Sequence, residues 1–243
     1  MTSRHTAHHP LGDPARYCAD VSDVTPSDQI GAEPPQEAVV DLLGMLAYSE
    51  LVAFDRMAAD ARLAPDLRRR AVLSEMAARE ITNYRRLADR LHELGADPEA
   101  AMRPYVRAVS DYHEQTEPKD WLEGLTKAYV GDGIADDFTR EVAAVLVAPD
   151  RDLILDVLHD SVHADFAADE LRAAIALDPK VANRLSMWAR RLVGEGISQA
   201  LRVAGERPSL AALLAIHGTD FQALLRRLTS AHTARMVAVG LNN

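Results

Sequence analysis

Apolar residues recur every three to four positions through most of this 243-residue chain, which is typical of amphipathic α-helices. No segment of useful length alternates apolar and polar residues as a half-buried strand does. The pattern predicts an all-α protein, because proline and glycine fall mostly between the periodic segments. The five long predicted helices run from Pro35 or Gln36 to Arg62, from Pro65 to Leu94, from Asp120 to Val147, from Pro149 to Pro179, and from Lys180 to Ala204.

The segments outside these helices predict how the chain is organised. Residues 1–35 are rich in proline, aspartate, serine and histidine without periodicity, so we expect a disordered or loosely docked arm. Residues 96–119 hold three prolines and form a connection long enough for a crossover along a bundle, with a helical part around Tyr105–Tyr112. We therefore expect a bundle over residues 36–205. Two shorter helical pieces, 208–216 and 219–238, predict a C-terminal extension, residues 206–243, that packs on this bundle.

Acidic residues interrupt the apolar stripes of the first, second and fourth predicted helices. Glu50 lies in the first stripe, and Glu80 lies in the second with Asn83 three residues later. In the fourth, Asp160 is followed three residues later by His163. Residues at i and i+3 share one face of an α-helix, so each of these pairs can point at one spot on the buried side.

The third predicted helix offers two acids, Asp132 and Asp136, in the same stripe. Asp132 keeps the spacing between halves of the chain, because 30 residues separate Glu50 from Glu80 and 28 separate Asp132 from Asp160. This spacing favours Asp132 as the functional acid. Asp136 stays open as the alternative.

Four carboxylates in the core of one bundle would repel one another and would be costly to desolvate unless cations compensate them. Bundles that hold two metal ions use one acid from each of two helices and an acid-x-x-His pair from each of the other two. Hard oxygen ligands with one imidazole suit iron or manganese better than zinc. We therefore expect two iron ions, with manganese, a single ion or an empty site as alternatives. The predicted ligands are Glu50, Glu80, Asn83, Asp132, Asp160 and His163.

Four stretches carry a family resemblance: AYSELVAFDRM, EMAAREITNYRRL, KAYVGDGIADDF and DSVHADF. They resemble the ferritin-like di-iron superfamily and, more narrowly, the MiaE-like family, related to the tRNA-(2-methylthio-N6-isopentenyladenosine) hydroxylase. The resemblance covers about residues 36–205 and implies a four-helix bundle with a long crossover between the second and third helices. It also implies a non-haem di-iron oxygenase that uses O2 and an electron donor to hydroxylate a modified tRNA adenosine or a small molecule.

The chain departs from that family in its ligand types. The family pattern on the second helix is Glu-x-x-His, whereas Asn83 occupies the last position here. An amide oxygen is a poorer donor than imidazole, and Asp132 and Asp160 stand where the tRNA hydroxylase has the longer glutamate. The alternative is therefore a non-catalytic structural or regulatory ferritin-like protein with a degenerate metal site.

Composition narrows the choice of partners and compartment. The net charge of −10 argues against broad nucleic-acid binding, which leaves a small-molecule substrate as plausible as tRNA. A single cysteine, Cys18, excludes a disulfide within one chain and a cysteine-based zinc site. The N-terminus has no apolar signal region, and the longest apolar runs are too short to span a bilayer. We expect a cytoplasmic protein without a membrane partner, which could form a homodimer.

Overall fold

A computed structural model describes residues 34–158, 161–215 and 221–242. Every regular element within these ranges is helical, as the periodicity predicts, and the predicted N-terminal arm lies almost entirely outside them. The α-helices are α1 (Gln36–Asp60), α2 (Leu67–Glu93), α3 (Pro98–Met102), α4 (Val106–Gln115), α5 (Trp121–Thr126), α6 (Gly133–Ala143), α7 (Asp150–Val157), α8 (Ser161–Leu177), α9 (Lys180–Glu206), α10 (Pro208–Ala215) and α11 (Phe221–Ala238). None of these helices, within the described ranges, is long and apolar enough to cross a membrane.

Helices α1 and α2 form an antiparallel pair that holds the first part of the site. The Asp66 carboxylate caps α2 by accepting a hydrogen bond from the backbone nitrogen of Arg69 at 2.9 Å. At the far end, Gln36 Nε2 of α1 donates to the Leu94 carbonyl at 2.9 Å. Both helices contribute to one apolar core, so the first two predicted helices are confirmed to within about two residues of their predicted ends.

Helices α7 and α8 run antiparallel to α2 on another side of the bundle. Arg90 Nε of α2 pairs with Asp150 Oδ1 of α7 at 2.6 Å. Near the other end of α2, Arg69 Nε pairs with Glu170 Oε2 of α8 at 2.6 Å. These two contacts place the C-terminal end of α7 and the start of α8 beside the middle of α2.

The fourth predicted helix is not continuous, which corrects the sequence prediction. Helix α7 ends at Val157, and Leu158 is extended, with φ −63° and ψ 151°. The buried residues of α7 include Ile154 and Val157, whereas Asp156 is exposed. Because the helix is broken, α7 and α8 can each turn a different face to the interior. The prediction assumes one continuous apolar stripe.

The third predicted helix is continuous but contains a π-helical segment, Lys127–Asp132, between α5 and α6. It ends at Ala143 rather than Val147. A π-helical turn holds one more residue than an α-helical turn, so positions before and after it are out of phase. Before the π-helical segment, Glu123 is buried, whereas its apolar neighbour Leu122 is only half-buried.

The crossover and the C-terminal helices pack closely on this bundle. A Cβ atom on Gly44 of α1 would lie 2.4 Å from the carbonyl oxygen of Ala101, so only glycine allows α3 to approach α1 this closely. From α11, Arg235 Nη2 donates to the Gly133 carbonyl at 3.1 Å and to Asp137 Oδ2 at 2.7 Å. Because the C-terminal helices contact the bundle directly, the contacts mark no boundary between bundle and extension. The division into these two parts stays a prediction.

Candidate metal centre

The buried acid of α1 meets the buried amide of α2. Glu50 and Asn83 are 8% and 7% exposed. Asn83 Nδ2 donates to Glu50 Oε2 at 3.3 Å and to the Val157 carbonyl at 3.0 Å. Val157 is the last residue of α7, where backbone carbonyls no longer have a helical partner. The break in the fourth helix therefore supplies one of the two acceptors that fix Asn83, and three helices meet at this amide.

Glu80 lies one turn before Asn83 on α2 and is only 1% exposed. Two facing helices thus bury a carboxylate each, which costs free energy unless the charges are compensated. At Glu50 the Asn83 amide offsets part of that cost, because a hydrogen bond to a charged group contributes about 1.5–3 kcal/mol. The prediction that these three residues face the interior is confirmed. Their role as metal ligands stays a prediction.

The two acids of the third predicted helix differ in their surroundings. Asp132 ends the π-helical segment and is half-buried, whereas Asp136, one turn later in α6, is buried. Burial raises the pKa of Tyr112 on α4 above its usual range, and the Asp132 charge raises it further. Asp132 thus acts on the α4 side of the bundle. Asp132 and Asp136 both remain candidate ligands.

His163 lies in the first turn of α8 and is half-buried. One turn later, the Phe166 ring packs edge to face on Trp121, with ring centroids 6.4 Å apart, and contacts the apolar cluster that includes Met76 of α2. His163 therefore lies on the part of α8 that runs beside α2 near Glu80. Asp160, the predicted partner of His163, lies outside the described residues.

The described residues supply the donor types of an iron site without assembling one by themselves. No group of three or more histidine, cysteine, aspartate or glutamate residues within those ranges is arranged to hold an ion. Asn83 turns its amide nitrogen, a hydrogen-bond donor, toward Glu50, an orientation assigned from its two acceptors. This orientation favours a positioning role for Asn83 over metal ligation. The carboxylates of Glu50 and Glu80 with the His163 imidazole have the chemistry that suits iron.

One buried charge outside the candidate metal centre, the ammonium group of Lys127, was not predicted from the sequence. Lys127, the first residue of the π-helical segment, is 7% exposed. Its Nζ donates to the Thr116 carbonyl at 2.9 Å and lies 5.3 Å from the centre of the Tyr112 ring. Lysines are rarely buried, and one lysine in an acid-rich helix carries no sequence pattern that marks it.

Comparisons with known proteins define first the fold class and then the family. A solved structure named protein 19 with aldehyde deformylating oxidase activity, from Synechococcus, matches with a TM-score of 0.65 at 19% identity, over 85% of this chain and 91% of that one. The chain therefore has a ferritin-like helical-bundle fold. Residues 34–217 match the family model described as a ferritin-like domain of actinomycetes, and the chain belongs to this family. No curated protein matches its sequence. The narrower MiaE-like resemblance stays a prediction.

Proposed function

We propose that this protein is an iron-dependent oxidoreductase that uses O2, with its reaction centre between α1, α2 and the α7–α8 region. The observation that carries the proposal is the pair of buried carboxylates, Glu50 and Glu80, on facing helices of a ferritin-like bundle. The oxidase activity named for the structural neighbour on the same fold supports this class of reaction.

The proposed ligands are the buried acids and the histidine. Iron bound there would supply redox chemistry and O2 activation, and the chain would supply geometry and a dry surrounding. We assign to Asn83 the task of orienting Glu50, because its amide donates to Oε2 and is itself held by Val157. Outer residues that fix a ligand in this way tune its metal affinity. The proposed ligand set is Glu50, Glu80, Asp160 and His163, completed by Asp132 or Asp136.

The net charge of the chain bears on the class of substrate that it binds. Hydroxylation of a modified tRNA adenosine, as in the MiaE-like family, would require the chain to attract a polyanion. A net charge of −10 opposes that attraction. We therefore favour a small molecule as the substrate and an electron-donor protein as the partner.

Iron counting tests the proposal. The full chain is purified without oxygen, loaded with ferrous iron, desalted and assayed for iron per chain. We expect close to two irons, with near-ultraviolet absorption of an oxo-bridged pair after exposure to air. The Glu80→Gln variant should lose iron, whereas Glu75→Gln, an exposed acid on the same helix, should retain it. Wild-type protein that retains no iron would overturn the proposal.

The second candidate is a non-catalytic structural or regulatory ferritin-like protein. It is favoured by Asn83, which stands in the position of the family histidine and donates to a carboxylate. The Asn83→His variant separates the two candidates. A weakened di-iron centre should bind iron more tightly when an imidazole stands at position 83. Unchanged iron affinity would show that position 83 does not face the metals, and iron-free protein in both forms would favour the non-catalytic candidate.

A further inference from the structure

A cavity of about 180 Å³ lies at the C-terminal end of α1, beside α4 and the start of the π-helical segment. Its wall is unusually rich in charge for a pocket of this size. The charged and titratable residues are Arg56 and Asp60 from α1, Arg62 from the turn that follows it, His113 from α4, Glu117 from the connection after α4, and Lys127. This cavity is separate from the Glu50–Asn83 contact, because Arg56 lies more than one helical turn beyond Glu50 on α1.

Two nitrogens at the wall of this cavity need a partner that the described residues do not provide. Arg56 Nε and His113 Nδ1 are buried, and neither has a hydrogen-bond partner among the residues that the structure describes. Nearly all buried polar atoms in proteins are hydrogen-bonded to protein, water or ligand. A cavity that reaches both residues is where such a partner would bind.

Lys127 brings a third nitrogen to the same wall. Its amine is held by the Thr116 carbonyl at 2.9 Å and by the face of the Tyr112 ring, both of which are neutral groups. An ammonium group that donates to a carbonyl still has two further protons to donate. The amine is therefore fixed in position and can still bind an acceptor in the cavity.

The charge balance of the cavity favours an anion. Burial lowers the pKa of His113 to about 3, so its imidazole is neutral near pH 7. Burial also lowers the pKa of Lys127 to about 8, although Asp60 and Asp132 oppose this effect, so Lys127 is mostly protonated. Arg56, whose Nε is buried, and Arg62 bring two further cations to the wall. Together with Lys127 they outnumber the two acids of the wall, so a bound anion would balance the excess positive charge.

We propose that this cavity binds a small monocarboxylate whose oxygens accept hydrogen bonds from Arg56 and Lys127. A guanidinium group matches a carboxylate in geometry and charge. A phosphate dianion fits less well, because the acids Asp60 and Glu117 line the same cavity and would repel the extra charge. Ala59, Leu63 and Pro118 also line the wall and give a short alkyl chain an apolar surface. The proposal does not depend on a metal in the bundle.

Calorimetric titration of the full chain with sodium propionate tests the proposal, in a zwitterionic buffer that contains no other carboxylate. We expect saturable binding of one propionate per chain. Arg56→Gln should weaken it at least about tenfold, which corresponds to about 1.4 kcal/mol, because the variant loses a charge-assisted hydrogen bond to the carboxylate. Arg103→Gln, on an exposed arginine paired with Glu99, is the matched control and should bind as the wild type does.

The possible outcomes decide the proposal in either direction. Absence of saturable propionate binding to the wild type, or equal binding by the wild type and Arg56→Gln, would overturn it. Inorganic phosphate titrated in the same way should bind more weakly than propionate, and the reverse order would overturn the assignment to a monocarboxylate. Lys127→Met should also weaken binding. Since Lys127 is buried and its loss could impair folding, Arg56→Gln decides the test if Lys127→Met does not fold.

Discussion

Two regions of this bundle bury charge in opposite ways, although both include residues of α1. At the candidate metal centre, the Glu50 carboxylate contacts the Asn83 amide directly, and that amide also binds a backbone carbonyl. At the cavity, Arg56 and Lys127 share an open volume, and the Lys127 amine is held by two neutral groups, the Thr116 carbonyl and the Tyr112 ring. The first arrangement holds a side chain in one position. The second leaves donors for a ligand that can exchange.

The largest effect that would break this comparison is removal of the Asn83 amide. Asn83→Leu leaves Glu50 Oε2 and the Val157 carbonyl without this buried donor, so we expect a loss of about 2 kcal/mol in the free energy of unfolding. Urea denaturation measures it. Thr82→Ala, which removes an exposed hydroxyl bonded within α2, is the control and should change stability little. An Asn83→Leu variant as stable as the wild type would show that the amide does not compensate Glu50.

The next effect is the response of the cavity to acid. The pKa of His113 falls from 6.5 to about 3 on folding, because burial and then the charges of Lys127 and Arg56 disfavour its protonation. The unfolded chain binds this proton below pH 6.5 and the folded chain does not, so stability falls as pH drops through that window. The loss is up to about 1.4 kcal/mol per pH unit. His113→Phe should reduce the loss between about pH 7 and about pH 5, measured by urea denaturation.

Asp60 acts on stability with the opposite sign in nearly the same window. Burial raises its pKa from 3.8 to about 6, although the Lys127 and Arg56 charges oppose the effect. The folded chain therefore binds this proton first. The stabilisation that results is present below pH 3.8 and is lost as pH rises through about 6.

The His113→Phe variant decides the sign for the histidine. If it is as sensitive to acid as the wild type, the buried, neutral state of His113 is contradicted.

A smaller effect tests whether Asp60 and Lys127 sense each other across the cavity. The Asp60 charge raises the pKa of Lys127 against the effect of burial, so Asp60→Asn should lower that pKa further below about 8. Heteronuclear NMR titration of the lysine side chains measures it. Asp55→Asn, on an exposed acid of the same helix, is the control and should leave the Lys127 titration in place. An unchanged pKa in Asp60→Asn would separate the two residues electrostatically.

The smallest effect concerns an exposed contact close to the candidate metal centre. Arg86 Nη2 and Asp156 Oδ2 pair at 3.2 Å, with side chains 41% and 70% exposed. We expect Arg86→Gln to change the free energy of unfolding by less than about 0.5 kcal/mol, because water competes for exposed ion pairs. Arg90→Gln breaks a pair that is only 18% and 12% exposed and should cost more. Equal losses in urea denaturation would indicate that exposure does not decide these contacts.

The helices and the buried acids could be predicted from the sequence because both depend on local periodicity. Glu50, Glu80 and Asn83 are buried since a helix of regular pitch carries their stripes to the interior, and α1 and α2 have that pitch. The all-α, ferritin-like fold is confirmed by the helices of the described ranges and by the family match over residues 34–217. These are the parts of the chain in which local pattern and tertiary packing agree.

The remaining features depend on packing that no local pattern encodes. The break at Leu158 and the π-helical segment change the phase of two helices, so Asp156 is exposed and Leu122 is only half-buried. Lys127 is buried because α1, α4 and the connection after α4 enclose it. These elements are separate from the π-helical segment, so the residues next to Lys127 in sequence do not indicate that it is buried. The predicted pairing of Asp160 with His163 stays a prediction, because Asp160 lies outside the described residues.

The π-helical segment Lys127–Asp132 contributes residues to both regions, so the two regions depend on the same stretch of sequence. Its first residue lines the cavity and its last is a candidate ligand, so a single deletion that restores an ordinary helical turn would rotate one against the other. Gly131, whose added Cβ would lie 2.9 Å from the Tyr112 hydroxyl, restricts replacement within the same turn. An insertion or deletion within this segment during evolution would therefore change both regions at once.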